Sequence, residues 1–231
     1  MAERPVFIPH MERGRLVEER SFAFDWNPGL SPSQKKKNVA ALHASAARSG
    51  CAPLLEVSSK SDEEIGQRLS AFNLKIEIAG NPLIPLESAF QGSKVFEHGG
   101  PFNDLVHVDG RDAKRDRRLS ESGKLTGFFF EGQNFPLVPK TLFYDWLYIR
   151  ALYPHGDWLR RLSRYKGFTD IEFNPEKSIN CQARSCATFV SLQERGILEK
   201  CVMSPSYFMT ILLPDSLEQP HSDDLRQQSL L

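Results

Sequence analysis

Apolar residues recur along this chain with two periods, and the switches between them mark out its elements. Residues 5–10 (PVFIPH) and 21–26 (SFAFDW) predict strands, the second alternating Phe22, Phe24 and Trp26 with smaller or polar residues. After a turn at Asn27-Pro28-Gly29, a helix opens. Ser31 can cap it, Pro32 suits its first position, and Gln34 can reach back to complete a capping box. That helix turns Val39, Leu42 and Ala46 inward and stops at Gly50. Residues 54–57 predict a strand, 63–68 a short helix, and 75–78 a strand leading to a Gly80-Asn81-Pro82 turn. A helix then opens near Pro85, with Leu86, Ala89, Phe90 and Phe96 as its apolar stripe. Residues 111–119 predict a helix, and 126–130 a strongly apolar, central strand. An amphipathic helix follows over 141–153. Residues 168–173 alternate as a strand until Asn174-Pro175, 178–195 form the last clear helix, and 207–213 read as a strand or a buried helix. No internal repeat and no linker divides the chain. The expectation is one α+β domain over residues 1–213, mostly helical with several short strands, and a disordered tail over 214–231.

The helix near Pro85 carries the first candidate chemistry. Glu87, Gln91 and Lys94 fall at i, i+4 and i+7, so a helix through all three projects them from one face. A carboxylate, a carboxamide and an amine in a column beside an apolar stripe form either a pocket wall or a solvated Glu–Lys face. The loop after it, His98-Gly99-Gly100-Pro101, could cradle a phosphate through backbone N–H groups, or could be a plain turn. Asn180, Gln182 and Arg184 stand in the first turns of the 178–195 helix and suit a ribose or a phosphate. Asp145, early in its own helix, is accounted for by the helix dipole.

Composition narrows the class. In 231 residues, 40% are hydrophobic and 25% charged, the balance of a soluble globular chain with a sizeable core. No apolar run approaches a membrane span and the N-terminus lacks a signal peptide's apolar stretch, so the expected compartment is the cytoplasm. The four cysteines have no Cys-x-x-Cys spacing and no histidine near them in sequence, which points to free buried thiols and no metal. Formal net charge is zero, which disfavours a strong non-specific nucleic-acid binder. The charge is nevertheless uneven. The 111–118 run holds Lys114, Arg115 and Arg118, and 150–166 holds Arg150, Arg160, Arg161, Arg164 and Lys166. Each run is either a phosphate contact or a solvated face.

The order Leu69-Ser70-Ala71-Phe72-Asn73, strand, glycine turn, then Glu87-Ser88-Ala89-Phe90-Gln91-Gly92-Ser93-Lys94 resembles the signature of the NADAR family. Its glutamate, glutamine and lysine fall at matching spacing. The family's asparagine and tyrosine become Ala71 and Asn73, its histidine becomes Ser88, and no Trp or Gly follows Gly196 to supply its closing Trp-Gly element. The whole chain is closer to the subgroup paired with DarT-type toxins that ADP-ribosylate DNA, with residues 1–60 specific to that subgroup and 61–200 its core. The resemblance implies an N-glycosidase that removes ADP-ribose from guanine in DNA, as an antitoxin, without a cofactor. Glu87 and Lys94 would be its catalytic pair. Phe72, Asn73, Ser88 and Gln91 would hold the substrate, helped by Gly99, Gly100, Asn180, Gln182 and Arg184. Lys114, Arg115 and Arg118 would meet the nucleic acid. Two routes stay open: Glu87 assisting a water at an oxocarbenium-like carbon, or a neutral Lys94 capturing the opened sugar as a Schiff base. Two other classes compete, a non-catalytic antitoxin or ADP-ribose reader and an N-glycosidase of riboflavin-pathway intermediates.

Overall fold

The computed structural model describes residues 1–12, 14–78 and 83–217, with the side chains of 214–217 left aside. The Gly80-Asn81-Pro82 turn and the tail beyond Leu217 lie outside the described residues. The fold is a single mixed α+β domain with three small sheets among the described residues, the smallest an antiparallel pair of β4 (Lys75–Ile76) and β5 (Ile84–Pro85).

The first sheet has the order β2-β1-β9-β3. Strands β1 (Ala2–Pro9) and β2 (Val17–Phe24) form an antiparallel hairpin in full register, from Ala2 opposite Phe24 to Pro9 opposite Val17. Both strands are longer than the apolar alternation alone marks, because pairing with β1 carries β2 through the polar run Glu18, Glu19 and Arg20. Strand β9 (Gly167–Thr169) joins β1 antiparallel at Phe7 and Phe168, and runs parallel to β3 (Leu54–Glu56). It ends four residues earlier than the sequence suggests, because Asp170 Oδ1 accepts the Glu172 N–H and turns the chain. Side-chain alternation sorts this sheet's two faces. Val6 and Leu54 pack with Leu42 and Ala46 of α1 (Pro32–Arg48), while Phe7, Leu55 and Phe168 join the main core. Ser31 caps α1 as expected, through the Gln34 N–H. The Gln34 side-chain oxygen has no partner, so the capping box stays half formed. The lysines at its first turn serve the protein itself: Lys36 pairs with Asp62 at 2.7 Å, and Lys35 lies over Trp26.

The second sheet, β6-β7-β8, is antiparallel, with β7 (Leu125–Phe130) in its centre between β6 (Lys94–Phe96) and β8 (Gln133–Phe135). Its aromatic face meets α6 (Leu142–Leu152). Phe143 stacks on Phe128 at 4.7 Å and meets Phe135 at 4.8 Å. Predicted as amphipathic, α6 is buried on every side except at Arg150, because α8 (Gln182–Glu194) and α10 (Pro205–Leu217) cover the faces the sheet leaves open. A helix apolar all round is a core helix. Residues 207–213 are helical, and α10 runs to Leu217, beyond the expected start of the tail at 214. All four cysteines are free and buried. Among the described residues, no helix is long and apolar enough to cross a membrane.

Where β3 and β9 end side by side, two carboxyl groups are buried. Glu56 accepts from Ser58 Oγ at 2.6 Å, Thr169 Oγ1 at 2.7 Å and the Ile171 N–H at 2.9 Å. His43, pushed down to about 4 by burial, is neutral and hydrogen-bonds Thr169 through Nε2 at 2.8 Å. Burial, reinforced by Asp170, pushes Glu56 up to about 8; burial likewise raises Asp170, to about 6. Unfolded carboxyls ionise near about 4. Below that value both states hold their protons, and above it only the folded state does, at a growing cost. Stability should therefore fall as pH rises from about 4 to about 8. Melting temperatures across that range test this: Glu56→Gln should flatten the slope, and a wild-type curve that stays level there would refute it.

Candidate active site

Helix α3 (Leu86–Gly92) is where the sequence places it, but it stops before Lys94. Gly92 and Ser93 end it: the Ser93 hydroxyl donates back to the Ala89 carbonyl, and the Ser93 carbonyl accepts the Phe129 N–H, drawing the chain into the second sheet. Lys94 therefore opens β6 instead of completing a helical column. Strand alternation still points it inward, and it is fully buried.

Glu87, Gln91 and Lys94 are brought together as a buried floor, so the solvated-face reading fails. Glu87 is 6% exposed and Gln91 2%. Gln91 Nε2 donates to Glu87 Oε1 at 2.8 Å, while Gln91 Oε1 is buried with no hydrogen-bond partner. Lys94 Nζ lies 5.2 Å from the Phe90 ring centroid. Burial pushes the Lys94 amine down to about 7; Glu87 pulls it up and Lys114 pushes it down again. A fall from 10.5 to about 7 corresponds to about 5 kcal/mol against the ammonium. Desolvation thus outweighs the attraction of the neighbouring carboxylate.

The mouth is built from residues of the 108–114 segment and from Phe72. Ser88, fully buried, donates its hydroxyl to the Val108 carbonyl at 2.7 Å, so its role is to hold that segment down. Gly110, capped by Asp109 at the start of α4 (Gly110–Lys114), then lies directly on Glu87. A Cβ there would stand 2.8 Å from Glu87 Cβ and 3.8 Å from the Phe72 ring. Lys114 Nζ comes to 4.0 Å from Glu87 Oε1. Phe72 is 46% exposed, with the Arg111 guanidinium 6.0 Å from its ring. The sequence reading assigned no role to Gly110. Its signal was a glycine in the first turn of a helix, where a better helix former fits unless space forbids one.

Several expected ligands are committed elsewhere. The 178–195 helix starts only at Gln182, leaving Asn180 outside it with a buried Oδ1 that has no partner. Gln182 is occupied at both ends: its oxygen accepts the Ala71 N–H at 2.8 Å and its nitrogen donates to Asp170 at 2.9 Å. It fixes the Phe72 turn against the buried carboxyl pair. Arg184 donates to Thr141 at 2.8 Å and pairs with buried Asp145, so the dipole explanation of Asp145 is incomplete. Asn73 donates to the Gln67 carbonyl, which secures the same turn. Gly99 and Gly100 make a tight return, with φ +82° at Gly100 and room for nothing larger beside the Lys94 carbonyl. Packing accounts for both glycines.

The basic runs are also largely spent. Arg118 is held by Asp104 at 2.6 Å and Asp116 at 2.9 Å, and the expected 111–119 helix breaks between α4 and α5 (Arg118–Glu121). Arg115 is exposed and Lys114 turns to Glu87. In the second run Arg150 pairs with Glu131, Arg160 with Asp157 and Arg164 with Glu63. Among the described residues, no cluster of His, Cys, Asp or Glu could hold a metal ion.

The class is that of a mixed α+β domain with a buried lysine near a buried glutamate and an exposed phenylalanine, Phe72, close by. The family follows from the whole chain: the profile of the DarT1-associated NADAR antitoxins matches residues 2–222, and the chain belongs to that family. It is accordingly an antitoxin of a DarT toxin. No curated protein matches it.

Proposed function

We propose that the protein hydrolyses the N-glycosidic bond between ADP-ribose and guanine in DNA, undoing the modification its toxin makes. The observation that carries this reading is the desolvated Lys94 beside Glu87. A protein that only bound its toxin or ADP-ribose would have no use for an amine held near neutrality.

The same observation favours the Schiff-base route over a direct water attack. The ribose ring opens as its oxygen takes a proton, leaving an iminium at C1. Neutral Lys94 adds to that carbon, the guanine amine leaves with a proton relayed by Glu87, and a lysine imine remains. Water adds to the imine, free ADP-ribose departs and the amine is restored. Gln91 Oε1, buried and unpartnered, would accept from a ribose hydroxyl. Phe72 and Arg111 form a platform for the base. The experiment is release of ADP-ribose from a modified oligonucleotide by the purified protein; no release at any pH would refute the reading.

The pH dependence has a definite sign. The neutral fraction of Lys94 grows as pH rises through about 7, so kcat/KM should rise there and level off above. Lys114→Met removes a cation that pushes the Lys94 amine down, so the rising limb should move to higher pH. Activity should fall a few-fold at pH 7 and recover by pH 9. A uniform loss at every pH would mean that Lys114 acts only by touching substrate.

A further inference from the structure

A groove of about 1240 Å³ is not lined by Glu87, Gln91 or Lys94. It lies beside their site: Asn73, which lines it, directly follows Phe72 of the mouth. Its walls include Lys75, Trp146, Arg150, Trp158 and Met203. We propose that this groove takes single-stranded nucleic acid flanking the modified guanine, with an unmodified base stacked on Trp158. The proposal rests on the function given above.

Three observations carry it. Glu87, Gln91 and Lys94 are buried, so a base whose glycosidic bond reaches them cannot remain stacked in a duplex. Such a base is either flipped from a duplex or presented in a single strand, and in a single strand its unpaired neighbours need a surface beside the mouth.

The groove offers such a strand a surface suited to stacking. Trp158 is 36% exposed, with the Arg161 guanidinium 4.8 Å and the Arg68 guanidinium 5.8 Å from its ring. Arg150 lies 5.2 Å from the Trp146 ring. An exposed indole among guanidinium groups is the stacking surface that sequence-tolerant single-strand binders use.

The third observation is reach. Arg68 stands four residues before Phe72, a span of roughly 14 Å at most. The indole it touches is thus within a few nucleotides of the mouth. Charge sets the character of the contact. Arg68 pairs with Glu64 and Arg150 with Glu131, and the exposed Lys75 lines the groove together with Glu77. Affinity should come from stacking more than from phosphate neutralisation, with a shallow salt dependence.

The test is fluorescence anisotropy of a labelled, unmodified mixed-sequence single strand with the full chain, in wild type, Trp158→Ala and Trp158→Phe. Binding should weaken about tenfold in Trp158→Ala and much less in Trp158→Phe, which keeps an aromatic face. With ADP-ribosylated substrates, Trp158→Ala should raise KM for the oligonucleotide while hydrolysis of the modified mononucleoside changes less than twofold. Absence of strand binding by the wild type, or equal affinity in Trp158→Ala, would overturn the proposal and leave the groove to a polypeptide partner. Equal losses on both substrates would overturn it too, by making Trp158 a support of the fold. Failure of the wild type to cut either substrate would refute the proposed function, while strand binding would still decide the groove.

Discussion

Lys94→Ala should fold and lose hydrolysis by on the order of 10²–10⁴-fold, the range for a positioned proton-transferring group, and by more where the amine is the nucleophile. The lysine is fully buried and its amine is pushed down to about 7 by desolvation, so the fold already bears the cost of holding it there. Removing it relieves that cost and leaves space beside Phe90. Far-UV circular dichroism and the melting temperature should therefore show a folded protein. Lys94→Arg separates charge from nucleophilicity: guanidinium stays charged at any working pH and cannot form the imine. It should be as inactive as alanine. Borohydride added during turnover should leave a stable adduct on the Lys94 peptide by mass spectrometry. Turnover without any adduct would favour water as the attacking group, with Glu87 as its base. Wild-type turnover in Lys94→Ala would remove the lysine from the mechanism altogether.

How the sequence came to this pair is instructive, because one premise was wrong. Helical spacing put Lys94 on the face of Glu87, yet Lys94 is in a strand. Two geometries converge here: a helix ending at Gly92 and a strand whose first residue points inward deliver the amine to the same floor. Local patterns also found α1 with its Ser31 cap, α3, β7 and α8, since caps, breakers and apolar periods are properties of neighbours in the chain. What stayed hidden was set by partners far away in sequence. Nothing near Ser88 announces a bond to Val108, and nothing near Gly110 announces contact with Glu87. Arg118 looked free for a phosphate because its acids, Asp104 and Asp116, are brought to it by turns. The carboxyl pair Glu56 and Asp170 depends on two parallel strands whose pairing no short window reveals.

Asp145 and Arg184 separate a structural role from a functional one. Asp145 is 1% exposed; it accepts from Arg184 and from Ser185 Oγ, and Arg184 also donates to Thr141. The pair ties α6 to α8, the two helices that carry the aromatic core and the Gln182 support of the Phe72 turn. Asp145→Ala leaves the guanidinium buried without its counter-charge, a loss of about 3–5 kcal/mol. In a chain of this length that corresponds to a fall in melting temperature on the order of 10 °C. Removing both charges should cost much less, because no uncompensated ion remains. Asp145→Leu combined with Arg184→Met should recover most of the stability, and the double-mutant cycle measures the coupling. Activity then decides between the two roles. If Arg184 only holds helices together, the double variant should keep its KM for modified oligonucleotide when assayed well below its melting temperature. If Arg184 grips ribose or phosphate, as its place at the start of α8 first suggests, KM should rise at least tenfold although the fold has recovered. A melting temperature within 2 °C of wild type in Asp145→Ala, about 1 kcal/mol or less, would show that this end of α6 and α8 is held by packing alone.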